Sequence, residues 1–147
     1  MHGAGLWLGV FGTHMRCGTA VTSRMRRFDA DILFDLVARE RIESITIVGD
    51  AFGKPMLQAL RNARDSGRPF DLSSLQQVLS SGVMLSREVK EGLLEFADIS
   101  ILDAMGSSEG TMGSSVVSRA NPPGDTAQFV KNPNPISVNI VPATNKW

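Results

Sequence analysis

The residues whose types and spacing could do chemistry stand together in residues 100–113, SILDAMGSSEGTMG. Ser107, Ser108 and Glu109 follow the apolar run 99–102, which reads as a short buried strand leading into a turn of small residues. In an open α/β sheet, ligands collect just beyond the carboxyl ends of the strands. A hydroxyl beside a carboxylate supplies hard oxygen ligands, which suit phosphate and Mg²⁺. Small residues let the backbone approach a ligand closely. An ordinary Gly/Ser connection has the same composition.

Three other motifs compete. Gly106-Ser107-Ser108-Glu109-Gly110 fits G-x-S-x-G, the nucleophile elbow of serine hydrolases, which requires a helix directly after the serine and a histidine later in the chain. Residues 111–115 make a poor helix start, and the two histidines, His2 and His14, both come earlier. The segment from Gly49 to Lys54 is one residue short of a Walker A loop and carries Pro55 where Ser or Thr should bind Mg²⁺. His2, His14 and Cys17 lack the spacing of a zinc site. Met84, Met105 and Met112 near the turn read as core filler or as a flexible apolar wall.

The elements that must position these residues alternate between strand and helix. Residues 6–11 form an apolar block that reads as a buried helix, and the β-branched stretch 19–22 reads as a strand. Asp29 suits a helix N-cap, with Phe28 stapled against Leu33 and with Ile32, Leu33, Leu36 and Val37 on one inward face. Strands follow at 44–48, 75–79 and 99–102, with helices between them. Pro55 is expected in the first turn of one helix, where its missing N–H costs little, and Met56, Leu57 and Leu60 on its buried side. Gly67 and Pro69 end that helix, and Ser86 caps the next, with Val89, Leu93, Leu94 and Phe96 inward. This alternation predicts an α/β fold with a mostly parallel sheet of four or five strands and flanking helices. After Gly113 the pattern decays; residues 126–131 suggest one more strand, and 131–147 an irregular tail rich in proline and asparagine.

The 147 residues fit one domain, with 42% hydrophobic and 20% charged residues, as in soluble globular proteins. Fifteen basic residues balance fifteen acidic ones, so charge gives no argument for nucleic acid or a membrane surface as partner. The Arg24, Arg26, Arg27 cluster reads as a solvated loop. No apolar run is long enough to span a bilayer. The single cysteine, Cys17, excludes an internal disulfide and fits a cytoplasmic setting. The opening residues MHGAG have no lead-in strand or cap, as though the chain began inside a larger fold.

Several segments together resemble the adenylate-forming (AMP-binding) superfamily. Residues 70–75, FDLSSL, followed by 79–85, LSSGVML, resemble its turn and strand beside the adenine and acyl sites. Met105-Gly106-Ser107-Ser108-Glu109 resembles its Tyr-Gly-x-Thr-Glu motif, and Met1-His2-Gly3 its histidine-containing stretch leading to the acyl pocket. The wording of MHGAG, IVGDAFGKPML and DAMGSSEG is most similar to bacterial acyl-CoA synthetases acting on long-chain or steroid-side-chain acids. The resemblance covers roughly residues 1–130.

That resemblance implies a role for each matching residue. Ser108 takes the threonine's place on an ATP phosphate, and Glu109 binds Mg²⁺. Asp103, Ala104 and Met105, with Gly106, form the adenine edge, while Gly82, Val83 and Met84 pass between adenine and the acyl chain. Val48 and Gly49 line the acyl tunnel, with His2 near its mouth. The implied substrates are a fatty or related carboxylic acid, ATP and coenzyme A. Met105 departs from the family's aromatic, so the contact with adenine is apolar. The family's Ser/Thr/Gly-rich phosphate loop, its ribose-binding aspartate and arginine, and the C-terminal domain with its lysine have no counterpart in these residues. The chain is therefore expected to be part of an N-terminal adenylation domain and inactive without the remainder of the enzyme. The alternatives are a non-catalytic α/β nucleotide-binding remnant and the serine hydrolase.

Overall fold

The computed structural model describes residues 3–107 and 110–123, with side chains left undescribed at 105–107 and 110–112. From the N-terminus the chain forms a π-helix (Gly5–Phe11) running into the short α1 (Gly12–Met15), then α2 (Ala30–Glu40), β1 (Ser44–Ile47), α3 (Asp50–Asp65), β2 (Gln77–Ser81), α4 (Arg87–Phe96), β3 (Ser100–Ser107) and β4 (Gly110–Val117). The sheet order is β1-β2-β3-β4. The first three strands are parallel, and β4 is antiparallel to β3. This is the expected α/β architecture, with α3 and α4 as the crossovers. Among the described residues no helix is long and apolar enough to cross a membrane.

Strand alternation makes the core. Ile45, Val78 and Ile101 lie side by side in register, and all are buried. Val37 and Phe34 of α2, Met56 and Leu60 of α3, and Val89 and Leu93 of α4 join the same cluster. Gly53 and Gly92 allow the close approach of α3 and α4: a Cβ at either would stand 2.7 Å from Leu85 and Val89, or from Leu57. Thr46, Leu79 and Leu102, on the other face of the sheet, are half-buried. The π-helix reaches that face through Gly9, which packs beside Thr46.

Local chemistry accounts for the boundaries. Asp29 caps α2 by accepting hydrogen bonds from the N–H groups of Asp31 and Ile32 at 3.0 and 3.2 Å. Phe28 meets Phe52 edge-on with ring centroids 4.9 Å apart, which ties α2 to α3. In the turn before β2, Asp71 accepts the Ser73 N–H at 3.0 Å, and that bond holds its carboxyl below the usual range. Arg119 donates to the carbonyls of Leu94 and Glu95, covering the end of α4.

Several expectations are corrected. The apolar block 6–11 is not a buried helix: Trp7 is 67% exposed and Phe11 48%, because its contacts with the sheet run through Gly9. Residues 19–22 are not a strand; they have no ladder partner. In α2 the buried positions are Ala30, Phe34 and Val37, with Leu33 packed partly against the core, while Ile32 faces water, so the apolar stripe is rotated by about a quarter turn from the expected one. Pro55 lies at the sixth residue of α3, not in its first turn, because the helix begins at Asp50. Strand β2 starts two residues later than expected, and β3 runs on to Ser107. The decay after Gly113 conceals β4, whose Gly/Ser/Thr-rich sequence follows no strand template. Residues 126–131, proposed as a strand, and the tail 131–147 lie outside the described residues.

Candidate nucleotide and acyl site

Parallel pairing puts the carboxyl ends of β1, β2 and β3 on one edge of the sheet. Ile47 pairs with Ser80, Ser80 with Asp103, and Ser81 with Ala104. Val48 and Gly49 after β1, Gly82–Met84 after β2, and Ala104, Met105 and Gly106 at the end of β3 therefore share that edge. A bulge falls between Met105 and Gly106 in the β3–β4 ladder. Bulges re-aim side chains and occur often beside active sites. His2, Ser108 and Glu109 lie outside the described residues. Gly110 opens β4, where a nucleophile elbow calls for a helix.

Hydrogen bonds tie this edge together. Gly49 has φ +59° and ψ −157°, a region essentially reserved for glycine. Its N–H donates to Ser80 Oγ at 3.2 Å, and Ser80 Oγ donates to the Val83 carbonyl at 3.4 Å. A Cβ on Gly49 would lie 3.0 Å from both the Val83 carbonyl oxygen and its Cβ, so the two loops touch here. Asp50 Oδ1 accepts the Ser86 N–H at 2.8 Å, and Asp50 Oδ2 lies 3.4 Å from Lys54 Nζ. Burial works to raise the Asp50 pKa, but the Ser86 N–H bond and Lys54 outweigh it and hold it below its ordinary value of 3.8.

The Asp103 side chain does not face solvent at this edge. It is 1% exposed, and its Oδ2 accepts the Leu85 N–H at 3.1 Å and lies 2.9 Å from Lys90 Nζ. Only its backbone is left for a ligand. Val83 and Met84 are 61% and 49% exposed, so the loop presents apolar surface to anything lying over the edge. A cleft of about 580 Å³ lies elsewhere, between α2, the end of α3 and residues 66–71, lined by Asp31, Asp35, Asn62, Arg68 and Asp71. Among the described residues no group of three or more His, Cys, Asp or Glu could hold a metal ion.

Sequence reasoning missed Ser80, Asp50 and Lys90. Lys90 did leave a signal. It lies three and four residues before Leu93 and Leu94 and so falls on the apolar side of α4, where an unpaired lysine is costly. Asp50 falls within the rejected Walker-like segment and within the IVGDAFGKPML resemblance, and neither gives it a role of its own.

Comparison with known proteins decides the family. The AMP-binding enzyme model matches residues 1–140. The chain belongs to the AMP-binding enzyme family. Over 124 residues it is 31% identical to a medium/long-chain-fatty-acid–CoA/3-oxocholest-4-en-26-oate–CoA ligase of Mycolicibacterium smegmatis, covering 81% of this chain and 21% of that relative. Its resemblance is thus to an acid–thiol ligase, of which it spans about a fifth. Among solved structures, ATP-bound MatB from Rhodopseudomonas palustris superposes with a TM-score of 0.63 at 19% identity, covering 88% of this chain and 24% of that one. The nonribosomal peptide synthetase FmoA3 gives a TM-score of 0.68 at 17% identity, over 84% of this chain and 13% of that one. At such identities the likeness is one of fold, and it is the adenylation fold in each case.

Proposed function

We propose that this AMP-binding chain supplies the adenine-facing and acyl-facing edge of an acyl-CoA synthetase that activates a fatty or related carboxylic acid with ATP and passes the acyl group to coenzyme A. The observation that carries this reading is the alignment of three parallel strand ends, with the exposed Gly82–Met84 loop next to the end of β3 through the Ser81–Ala104 pair. A flat base fits over backbone that carries half-exposed Val83 and Met84, and Gly49 keeps the neighbouring acyl wall thin. Gly82, Val83 and Met84 lie between base and acyl chain; Ala104, Met105, Gly106 and the Asp103 backbone border the base. Val48, Gly49 and His2 line the acyl side.

The chemistry needs little beyond position and charge. A substrate carboxylate attacks the α-phosphorus of ATP, pyrophosphate leaves, and the thiol of coenzyme A then displaces AMP. Such a reaction is accelerated by fixing the reactants in line and by neutralising phosphate charge. Ser108 donates a hydrogen bond to a phosphate oxygen, and Glu109 offers a carboxylate to Mg²⁺. When bound, Mg²⁺ would shield the phosphate charge.

Residues 1–130 serve as the adenylation portion, in a cytoplasmic setting where ATP is supplied. The carboxylic acid, nucleotide and remaining parts of the enzyme are its partners. Because the chain spans 21% of its ligase relative, it is expected to bind nucleotide weakly and not to turn it over. Titration of the purified chain with Mg·ATP tests this. Saturable binding lost in Glu109→Ala supports the reading, and absence of binding in the unaltered chain overturns it. Acid-dependent pyrophosphate release at about 1 s⁻¹ or faster from the chain alone would refute the expected inactivity.

A further inference from the structure

The Gly82–Ser86 loop is held by side chains from three directions. Ser80 donates to the Val83 carbonyl, Asp50 accepts from the Ser86 N–H, and Asp103 accepts from the Leu85 N–H. Two of these anchors are ordinary. The third places a carboxylate and an ammonium inside the core, with side chains 2% and 5% exposed. A buried ion pair is a poor source of stability, since well-packed apolar residues of similar volume often do as well or better. Lys90 and Asp103 therefore call for an account beyond packing.

Their place in the fold supplies one. Asp103 is the last inward-facing residue of β3 before Ala104 and the bulge at Met105 and Gly106, so its backbone belongs to one side of the candidate site. Its carboxylate reaches across to Leu85, at the end of the loop forming the other side. Lys90, one turn into α4, compensates the buried charge and fixes the direction in which Oδ2 points. An apolar side chain at 103 could fill the same volume, but it could not accept the Leu85 N–H.

We propose that Asp103 is a positioning residue for nucleotide binding, with Lys90 acting through it: the carboxylate sets the spacing between the Gly82–Ser86 loop and the end of β3. This rests on reading that edge as the nucleotide site. No step of the reaction passes through either residue.

Two double variants separate positioning from packing. Asp103→Leu/Lys90→Met removes both charges and the acceptor. Asp103→Asn/Lys90→Met removes both charges and keeps an acceptor for Leu85. Each is followed by urea unfolding, by hydrogen exchange across residues 82–86 and by Mg·ATP titration. The leucine variant is expected to stay folded, to exchange faster at residues 82–86, and to bind Mg·ATP about tenfold more weakly, the loss of one well-placed hydrogen bond. The asparagine variant is expected to recover most of the protection and affinity. A folded leucine variant with unchanged affinity overturns the proposal, whatever its exchange.

The unaltered chain gives a second check if the leucine variant fails to fold. The Leu85 amide should exchange as slowly as that of Ile101 in the core of the sheet, and exchange at the rate of an exposed loop overturns the pin. If the unaltered chain binds no Mg·ATP, the nucleotide reading fails, while the exchange of Leu85 still decides whether the loop is pinned.

Discussion

Lys90 Nζ lies 2.9 Å from Asp103 Oδ2, joining α4 to β3 through a pair almost wholly withdrawn from water. Removing one partner leaves the other buried and uncompensated, which costs about 3–5 kcal/mol, whereas exchanging both for apolar residues costs far less. Lys90→Met and Asp103→Ala are each expected to lose stability of that order. The double variant Lys90→Met/Asp103→Leu should recover most of it. Urea midpoints of the three chains check this, and additive losses would show that the two groups do not act as a pair.

Gly49 makes a different prediction, set by backbone rather than charge. Its φ of +59° and ψ of −157° are essentially closed to other residues, and a Cβ would crowd Val83 at 3.0 Å. Gly49→Ala should cost about 1–3 kcal/mol from backbone strain, with a further penalty because the contact includes the Val83 carbonyl, which cannot rotate away. Thermal unfolding measures the stability. A Mg·ATP titration of the folded fraction reads the displaced loop as weakened binding. Native stability in this variant would mean that the two loops are not in contact.

How much of this could be seen in the sequence depended on which forces act locally. The Asp29 cap, the Ser44–Ile47 strand and the buried side of α3 follow from side-chain type and period, and all are present. Val48, Gly49, Gly82–Met84 and Ala104 were singled out by the family resemblance alone, and the register places them at strand ends on one edge of the sheet. The 6–11 block was misread because apolar content says nothing about which neighbour covers it, and Trp7 stands in solvent. Strand β4 escaped notice because its residues gain their conformation from the Ile101–Val117 pairing and its continuation, not from their own preference. The Asp103–Lys90 pair was invisible for a related reason. Asp103 was assigned to the ligand edge by resemblance, and only the register shows that its side chain points the other way.

Asp50 predicts a pH dependence. Its pKa in the folded chain is depressed below 3.8. A depressed carboxylate contributes stability that is present above the unfolded pKa and lost as pH falls through the lower folded value. The group is partly exposed, so the contribution at neutral pH is about 1 kcal/mol after allowance for solvent screening. Asp50→Asn should therefore be less stable than the unaltered chain at neutral pH, and the gap should close as the pH is taken below 3.8. Urea midpoints across that range test it. A gap that stays constant into acid would show that Asp50 acts by shape alone.

Pro55 offers the converse case, a residue whose replacement should strengthen the fold. It occupies the sixth position of α3, where an N–H would ordinarily reach the Ala51 carbonyl four residues back. Proline removes that donor and crowds the carbonyl, at a cost of about 3 kcal/mol in a helix interior. Against this, proline restricts the unfolded chain, an effect worth up to about 1 kcal/mol. The side chain is exposed, so alanine leaves no cavity. Pro55→Ala is accordingly expected to raise stability by about 2–3 kcal/mol, the difference between the two effects. It should also slow exchange of the residue 55 amide to the level of its neighbours in α3. A loss of stability would show that proline's restriction of the unfolded chain outweighs the missing bond, and that α3 already accommodates the ring without strain.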